Sequence, residues 1–256
     1  MKRAPGTVYL VGAGPGAPDL LTVRAAEILK RADIVFHDAL VRPETLGLAL
    51  RARLVDVGKR FGKVSPEQRF INRALVEAAR THDIVVRLKG GDPMMFGRAQ
   101  EEIAALEEAG VECEVVPGIT AALAAAAVIK TSLTQRGSAR TITFATPRVG
   151  ATEPDSTWAR GLAAADAGAI YMGVGEAALI AQTLIASGKP PGLPVAIVES
   201  ASLPEQRVRY TTLADLPNFA DASVAGPALI LLGPQFRARA FEIAERCSYE
   251  KRAASA

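Results

Sequence analysis

Short apolar runs that end in glycine, each followed by a helical stretch, constrain this chain more than any other feature of it. Thr7–Val11 runs into Gly12-Ala13-Gly14-Pro15-Gly16. Ile84–Leu88 runs through Lys89 into Gly90-Gly91-Asp92-Pro93, and Glu112–Val116 into Pro117-Gly118. Strands this short and apolar are buried on both faces, and parallel neighbours of that kind need helical crossovers. Helical patterning fills the intervals over Leu20–Arg31 (Asp19 as cap, Thr22 in the first turn), Pro66–Arg80, Ala99–Ala109 and the alanine-rich Thr120–Ile129. Ile34–His37 and Arg53–Val57 read as further strands. The alternation predicts an α/β fold with a mostly parallel, doubly wound sheet.

The pattern breaks over Lys130–Arg140, where Thr, Ser, Gln, Arg and Gly cluster, and then restarts. Thr141–Ala145, Ile170–Met172, Val195–Val198, Arg207–Thr211 and Ala228–Leu232 read as strands, and Ala177–Ser187 as a helix. The chain therefore divides into an N-terminal α/β domain over 1–135, a second α/β domain over 136–246 and a tail over 247–256.

A formal charge of +3 with no basic tail argues against nucleic acid and fits an acidic small-molecule ligand. Cys113 and Cys247 form neither a metal spacing nor a disulfide framework. The apolar stretch Val8–Val11 is too short for a signal peptide, and Ile119–Ile129 is too short to span a bilayer. A cytoplasmic protein with no membrane partner and no metal is expected.

Ligands of open α/β sheets bind outside the carboxyl ends of strands, where the glycine turns fall. In Gly90-Gly91-Asp92-Pro93 the glycines let backbone approach a ligand, Pro93 fixes the corner, and Asp92 is expected to point a carboxylate into the crevice. Gly12 to Ala17 fits a relaxed dinucleotide fingerprint. Pro15, Pro18 and Asp19 crowd the segment that should be a pyrophosphate-cradling helix, so a sharp turn against a ligand without phosphate is the favoured reading. A plain turn is the alternative.

Taken together, these motifs resemble the uroporphyrinogen-III C-methyltransferases of the tetrapyrrole methylase family. The resemblance runs from Val8 to about Gly233. It rests on Val11 to Gly16 with Asp19-Leu20-Leu21-Thr22, Asp38 after the second strand, Val57-Gly58-Lys59-Arg60, and Val86 to Pro93 with Phe96-Gly97-Arg98. Val116 to Ala121, Leu133-Thr134 with Arg136-Gly137, Tyr171-Met172-Gly173 and Gly226-Pro227-Ala228 follow in the family's order. The resemblance implies S-adenosylmethionine as methyl donor, bound between two α/β domains and leaving as S-adenosylhomocysteine. It implies two methyl transfers to uroporphyrinogen III, through precorrin-1 to precorrin-2, for sirohaem and cobalamin synthesis, in a homodimer.

Matched position by position, the resemblance implies a donor site of Pro15, Gly90, Gly91, Asp92, Met95, Thr120, Ala121, Met172, Ala201 and Ala228. Asp38 and Lys59 match positions proposed as general base and acid; a helix cap or ion-pair partner is the structural alternative for Asp38. Arg98, Glu101 and Arg136 match acceptor-holding positions. A tetrapyrrole with eight carboxylates calls for cations, and Arg87, Arg140, Arg60 and Lys63 are further candidates. Lys89 reads either way, and Arg51, Arg53 and Arg73 read as solvated charge.

Some motifs depart from the family. Ala99-Gln100 replace two glycines, Gln135 replaces a histidine, and Thr146-Pro147-Arg148 stands for Thr-Gly-His. An arginine at 148 can bind a carboxylate but cannot shuttle protons near neutral pH. Only His37 and His82 remain, the first read as packed at a strand end and the second as capping a turn. A methylase of the same fold acting on another tetrapyrrole or corrinoid precursor is therefore the second reading. A non-catalytic donor-binding protein and a dinucleotide oxidoreductase complete the alternatives.

Overall fold

The computed structural model describes residues 4–58, 68–148, 157–219, 224 and 226–237. They fall into two compact units, Met1–Ala121 and Ala122–Ala256.

In the first unit β1 (Thr7–Gly12), α1 (Val23–Arg31), β2 (Ile34–His37), α2 (Pro43–Leu46), β3 (Arg53–Asp56), α3 (Gln68–Ala79), β4 (Ile84–Lys89), α4 (Ala99–Glu108) and β5 (Cys113–Val116) follow in order. The sheet is parallel throughout, in the order β3-β2-β4-β1-β5. Both faces are covered. Val8 and Leu10 of β1, Ile34 and Phe36 of β2 and Val85 of β4 pack with α3 and α4. Val11, Val35, Val86 and Leu88, of opposite parity, pack with Ala25 and Leu29 of α1. That two-residue alternation places every side chain of β4, including Arg87 and Lys89, on the face shared with Val85 or on the other. α1 begins later than the sequence reading placed it. Pro18–Leu20 is a short 3-10 turn, and Thr22, not Asp19, is the cap: its hydroxyl accepts from Ala25 N at 3.1 Å.

α5 (Ala121–Val128) precedes the second sheet. There follow β6 (Ile142–Ala145), α6 (Trp158–Ala164), β7 (Ala167–Tyr171), α7 (Ala177–Ala186), β8 (Pro194–Glu199), β9 (Arg207–Thr212), α8 (Leu216–Phe219) and β10 (Ala228–Leu232). This sheet, β6-β7-β10-β8-β9, is not mostly parallel. Only β6 and β7 run parallel; β7–β10, β10–β8 and β8–β9 are antiparallel. The cause is the connection from β8 to β9, which contains no helix and is too short for the crossover that parallel pairing needs. Leu162, Ile180, Leu184, Val195, Ile197, Ile230 and Leu232 form its core. Among the described residues no helix is long and apolar enough to cross a membrane.

Each sheet is tied at its entering end by an aspartate ahead of a strand. Asp33 Oδ2 accepts from Asp83 N and Ile84 N, at 3.0 and 2.9 Å. Asp166 Oδ2 accepts from Arg140 N, Thr141 N and Thr141 Oγ1, each at 2.9 Å. Those bonds, led by Thr141 N, hold the Asp166 carboxyl below its ordinary 3.8.

Candidate active site

The carboxyl ends of β1, β4 and β5 meet through backbone. Gly14 and Gly91 exchange N–H···O bonds at 2.7 and 3.1 Å, and Ala13 N donates to Lys89 O at 2.7 Å. Gly118, just past β5, closes the junction. A Cβ on Gly118 would lie 2.3 Å from Gly91 O and 2.9 Å from Gly12 Cα; one on Gly12 would lie 2.6 Å from Gly118 N. These glycines let three strand ends touch. Gly91 also needs its positive φ of 70° for the turn. No helix starts at the Gly12–Gly16 turn, which removes the pyrophosphate cradle of a dinucleotide site.

Asp92 braces this junction instead of projecting into the crevice. Its Oδ1 accepts from Met94 N at 2.8 Å and its Oδ2 from Gly118 N at 2.9 Å. The carboxylate thus turns the chain after β4 and ties it to the end of β5. Pro15, Gly90, Gly91, Asp92, Met95 and Thr120 lie on these loops, and Ala121 opens α5. The loops present backbone at the strand ends, with the Asp92 charge held by two backbone N–H groups. Exposed apolar Leu40, Met94 and Phe96 lie on the loops after β2 and β4. A Cβ on Gly90 would meet Leu40 Cβ at 3.4 Å.

Asp38 follows β2 at the same end of the sheet. Its carboxylate accepts from Arg87 Nη2. Arg87 Nε donates to Glu102 Oε1 at 3.0 Å and Nη1 to Leu88 O at 3.2 Å. Lys89 Nζ donates to Glu102 Oε2 at 3.0 Å, and Gln68 Nε2 to Glu102 Oε1 at 3.1 Å. Glu102 is fully buried, and Arg87 and Lys89 are each only 3% exposed. Burial, joined by the nearby Arg87 guanidinium, pushes the Lys89 ammonium below its ordinary value. Arg87 is therefore an internal ion-pair partner and not a surface cation for an acceptor carboxylate. Its parity with Val85 on β4, which turns it under α4, is the signal that separates it from the surface arginines.

Arg98 caps α4 with a left-handed φ of 56° and grips Glu101 through both carboxylate oxygens, at 2.6 and 2.7 Å. That pairing, ahead of other causes, lowers the Glu101 carboxyl below its ordinary value. Both side chains are about half exposed. Lys59, Arg60 and Lys63 lie outside the described residues. The backbone leads to them at Gly58, where a Cβ would collide with Ala39 N, next to Asp38. His37 Nδ1 faces Asp38 O at 3.3 Å, and His82 Nδ1 faces Ala78 O at 3.1 Å at the end of α3.

In the second unit, Met172 follows β7, Ala201 follows β8 and Ala228 opens β10. The pairings Ala228↔Glu199 and Leu229↔Tyr171 bring them to one end of the sheet, where β6 also delivers Thr146 and Arg148. Met172, Ser200 and Ser202 are in the left-handed region there, the backbone strain that collects at ligand-binding ends. Arg148 is exposed and its N–H donates to Thr146 Oγ1 at 3.2 Å. Arg136 is exposed in the turn leading into β6, at the opposite end of that strand. Sequence reasoning missed Glu102 and the strained serines; the two acidic residues in the first turn of α4 were the available signal for Glu102.

Two α/β units whose loops gather glycines and strained turns at strand ends belong to the open-sheet class, in which ligands bind beyond the carboxyl ends of the strands. The sequence model of the family described as Tetrapyrrole (Corrin/Porphyrin) Methylases matches residues 7–217, and the chain belongs to that family. The siroheme synthase of Chromobacterium violaceum is 44% identical over 249 residues, covering 96% of this chain and 52% of its own length. The siroheme synthase 2 of Aeromonas hydrophila is 45% identical over 235 residues, 91% of this chain and 49% of its own length. The chain thus spans about half the length of the curated relatives it matches. The uroporphyrin-III C-methyl transferase of Thermus thermophilus, solved with S-adenyl homocysteine, superposes with a TM-score of 0.80 at 41% identity, over 91% of this chain and 100% of that one.

Proposed function

We propose that this chain methylates ring carbons of uroporphyrinogen III, taking methyl groups from S-adenosylmethionine in two transfers through precorrin-1 to precorrin-2. The correspondence with the Thermus enzyme over that enzyme's whole length carries the reading. The glycine junction of β1, β4 and β5 supports it, since the Gly90-Gly91 turn lets a ligand approach backbone with no side chain intervening. When bound, S-adenosylmethionine supplies an electrophilic methyl group. A ring carbon attacks that methyl; the new C–C bond forms, the C–S bond breaks, and its electron pair stays on sulfur as S-adenosylhomocysteine.

The chain's own residues then have separate tasks. The loops after β1, β4 and β5 hold the donor, and Met95 gives it a soft apolar wall. Asp38 takes the proton that the methylated macrocycle must lose, with Lys59 as its acid partner. Arg98, its guanidinium fixed by Glu101, and the exposed Arg148 and Arg136 are the cations offered to acceptor carboxylates, each charge-assisted bond an arginine makes contributing about 1.5–3 kcal/mol. Orientation of donor and acceptor supplies the larger share of the acceleration, on the order of 7–11 kcal/mol against about 10²–10⁴-fold from acid–base help. A cytoplasmic homodimer serving sirohaem or cobalamin synthesis completes the reading; sedimentation of the purified chain and cell fractionation check its assembly and location.

The exposed Arg148, at the position of the family's histidine, favours one second reading, a different tetrapyrrole or corrinoid acceptor. Purified protein, S-adenosylmethionine and anaerobic uroporphyrinogen III, followed by mass and absorbance, test both. A gain of two methyl groups is expected. No gain, with the donor bound by calorimetry, transfers the assignment to the other acceptor.

A further inference from the structure

The buried charges beneath the first sheet have a direction that packing alone does not require. Arg87 and Lys89 lie on one face of β4 beneath α4, and Glu102 of α4 gives one carboxylate oxygen to each. Replacing buried ion pairs by apolar side chains is often neutral or stabilising, so stability does not explain the cluster. Side-chain exposure rises along it, from 0% at Glu102 through 3% at Lys89 and 4% at Arg87 to 30% at Asp38. The row of charges thus begins in the core and emerges at the carboxyl end of β2. Among the described residues, only Arg87 hydrogen-bonds the Asp38 carboxylate. The guanidinium is itself held by Glu102 on α4 and by the Leu88 carbonyl on β4, and it cannot lose its proton.

We infer that Arg87, braced by Glu102, is a positioning residue that fixes the Asp38 carboxylate for proton handling, with Lys89 as the counter-charge that keeps Glu102 in place. A lysine at position 87 would preserve the charge balance but not the fork. One ammonium cannot span Glu102, Leu88 O and Asp38 together. The inference rests on Asp38 acting on the reacting macrocycle, and the experiment separates the two.

The whole chain is assayed with S-adenosylmethionine and anaerobic uroporphyrinogen III as wild type, Asp38→Asn, Arg87→Lys and the double variant. Arg87→Lys is expected to lose about 10- to 100-fold in kcat, the scale of a misplaced catalytic group, while both KM values stay within about twofold. In the Asp38→Asn background it is expected to cost nothing further, because there is no carboxylate left to position. Glu102→Gln, which removes the brace's charge at constant size, is expected to repeat the pattern and serves in place of Arg87→Lys if that variant does not fold. A kcat within about twofold of wild type for either variant, beside an impaired Asp38→Asn, overturns the inference, as do losses that multiply in the double variant. Full activity of Asp38→Asn also overturns it but leaves methyl transfer standing. A wild-type protein that methylates nothing refutes the proposed reaction itself, before any variant is compared.

Discussion

Replacing Gly118 by alanine tests the close packing of the three strand ends. The new Cβ would lie 2.3 Å from Gly91 O and 2.9 Å from Gly12 Cα, both backbone atoms that no rotamer can move aside. A carbon approaches a carbonyl oxygen ordinarily to about 3.3 Å, so the loops must part by about 1 Å. If Gly91 retreats, its carbonyl loses the bond from Gly14 N; if Gly118 retreats, its N–H loses Asp92 Oδ2. The first costs about 0.5–1.5 kcal/mol and the second about 1.5–3, on top of about 1–3 for overpacking. Either route totals about 1.5–6 kcal/mol, a melting temperature lower by roughly 3–24 °C in a protein of this size. Donor affinity is expected to fall at least about 10-fold, because Gly90 and Gly91 move with the turn. Calorimetry reads both quantities. Gly175→Ala is the control: nothing lies within 4 Å of its Cβ, and its melting point is expected to stay with wild type. A Gly118→Ala protein that melts within 2 °C of wild type, on the order of 1 kcal/mol or less, and binds the donor normally would refute the close-packed junction.

Asp92→Ala removes both backbone bonds of the brace and is expected to weaken donor binding and lower the melting point together, while Arg98→Ala raises the acceptor KM with the donor constant unchanged; titration and steady-state kinetics separate them. Thr22→Ala removes the cap of α1 and is expected to cost about 1 kcal/mol in a denaturation midpoint, with activity unchanged. The Asp166 carboxyl is held below its ordinary 3.8, so its contribution to stability is present in full above that pH and is lost as pH falls below it. The stability gap between wild type and Asp166→Asn is therefore expected to narrow only in acid, and a gap that stays constant down to pH 2 would contradict it.

Much of the fold is legible in the chain because its strands are short, apolar and punctuated by glycine or proline. Ile34–His37 and Ala228–Leu232 lie where apolar patterning alone puts them, and the helix ends near Arg31 and Ala109 differ from the observed bounds by a residue or less. α2, α6 and α8 were not legible. Two of them span a single turn, too little for a period to register, and the third follows a Pro/Gly-rich loop that masks its start. Strand direction in the second sheet was hidden for a different reason. An apolar run reads the same in parallel and antiparallel surroundings; only the helix-free link between β8 and β9 distinguishes them.

The site divides along the same line, between what residue types announce and what only packing decides. A glycine pair ahead of Asp-Pro announces close backbone approach, and the junction of Gly12, Gly91 and Gly118 has it, although much of that closeness serves contact between loops. The direction of a carboxylate is not announced. Asp92 sits where two backbone N–H groups converge, and two charge-assisted bonds outweigh exposure to the crevice. Arg87 shows the converse. A cation beside a proposed base suggests an acceptor contact, yet the parity of β4 turns it under α4, where an unpaired charge would cost several kcal/mol and Glu102 must answer it. The negative partner lies 15 residues further along the chain, on another element. No local spacing encodes that pairing; it arises because a parallel crossover lays the first turn of α4 across the strand it has just left.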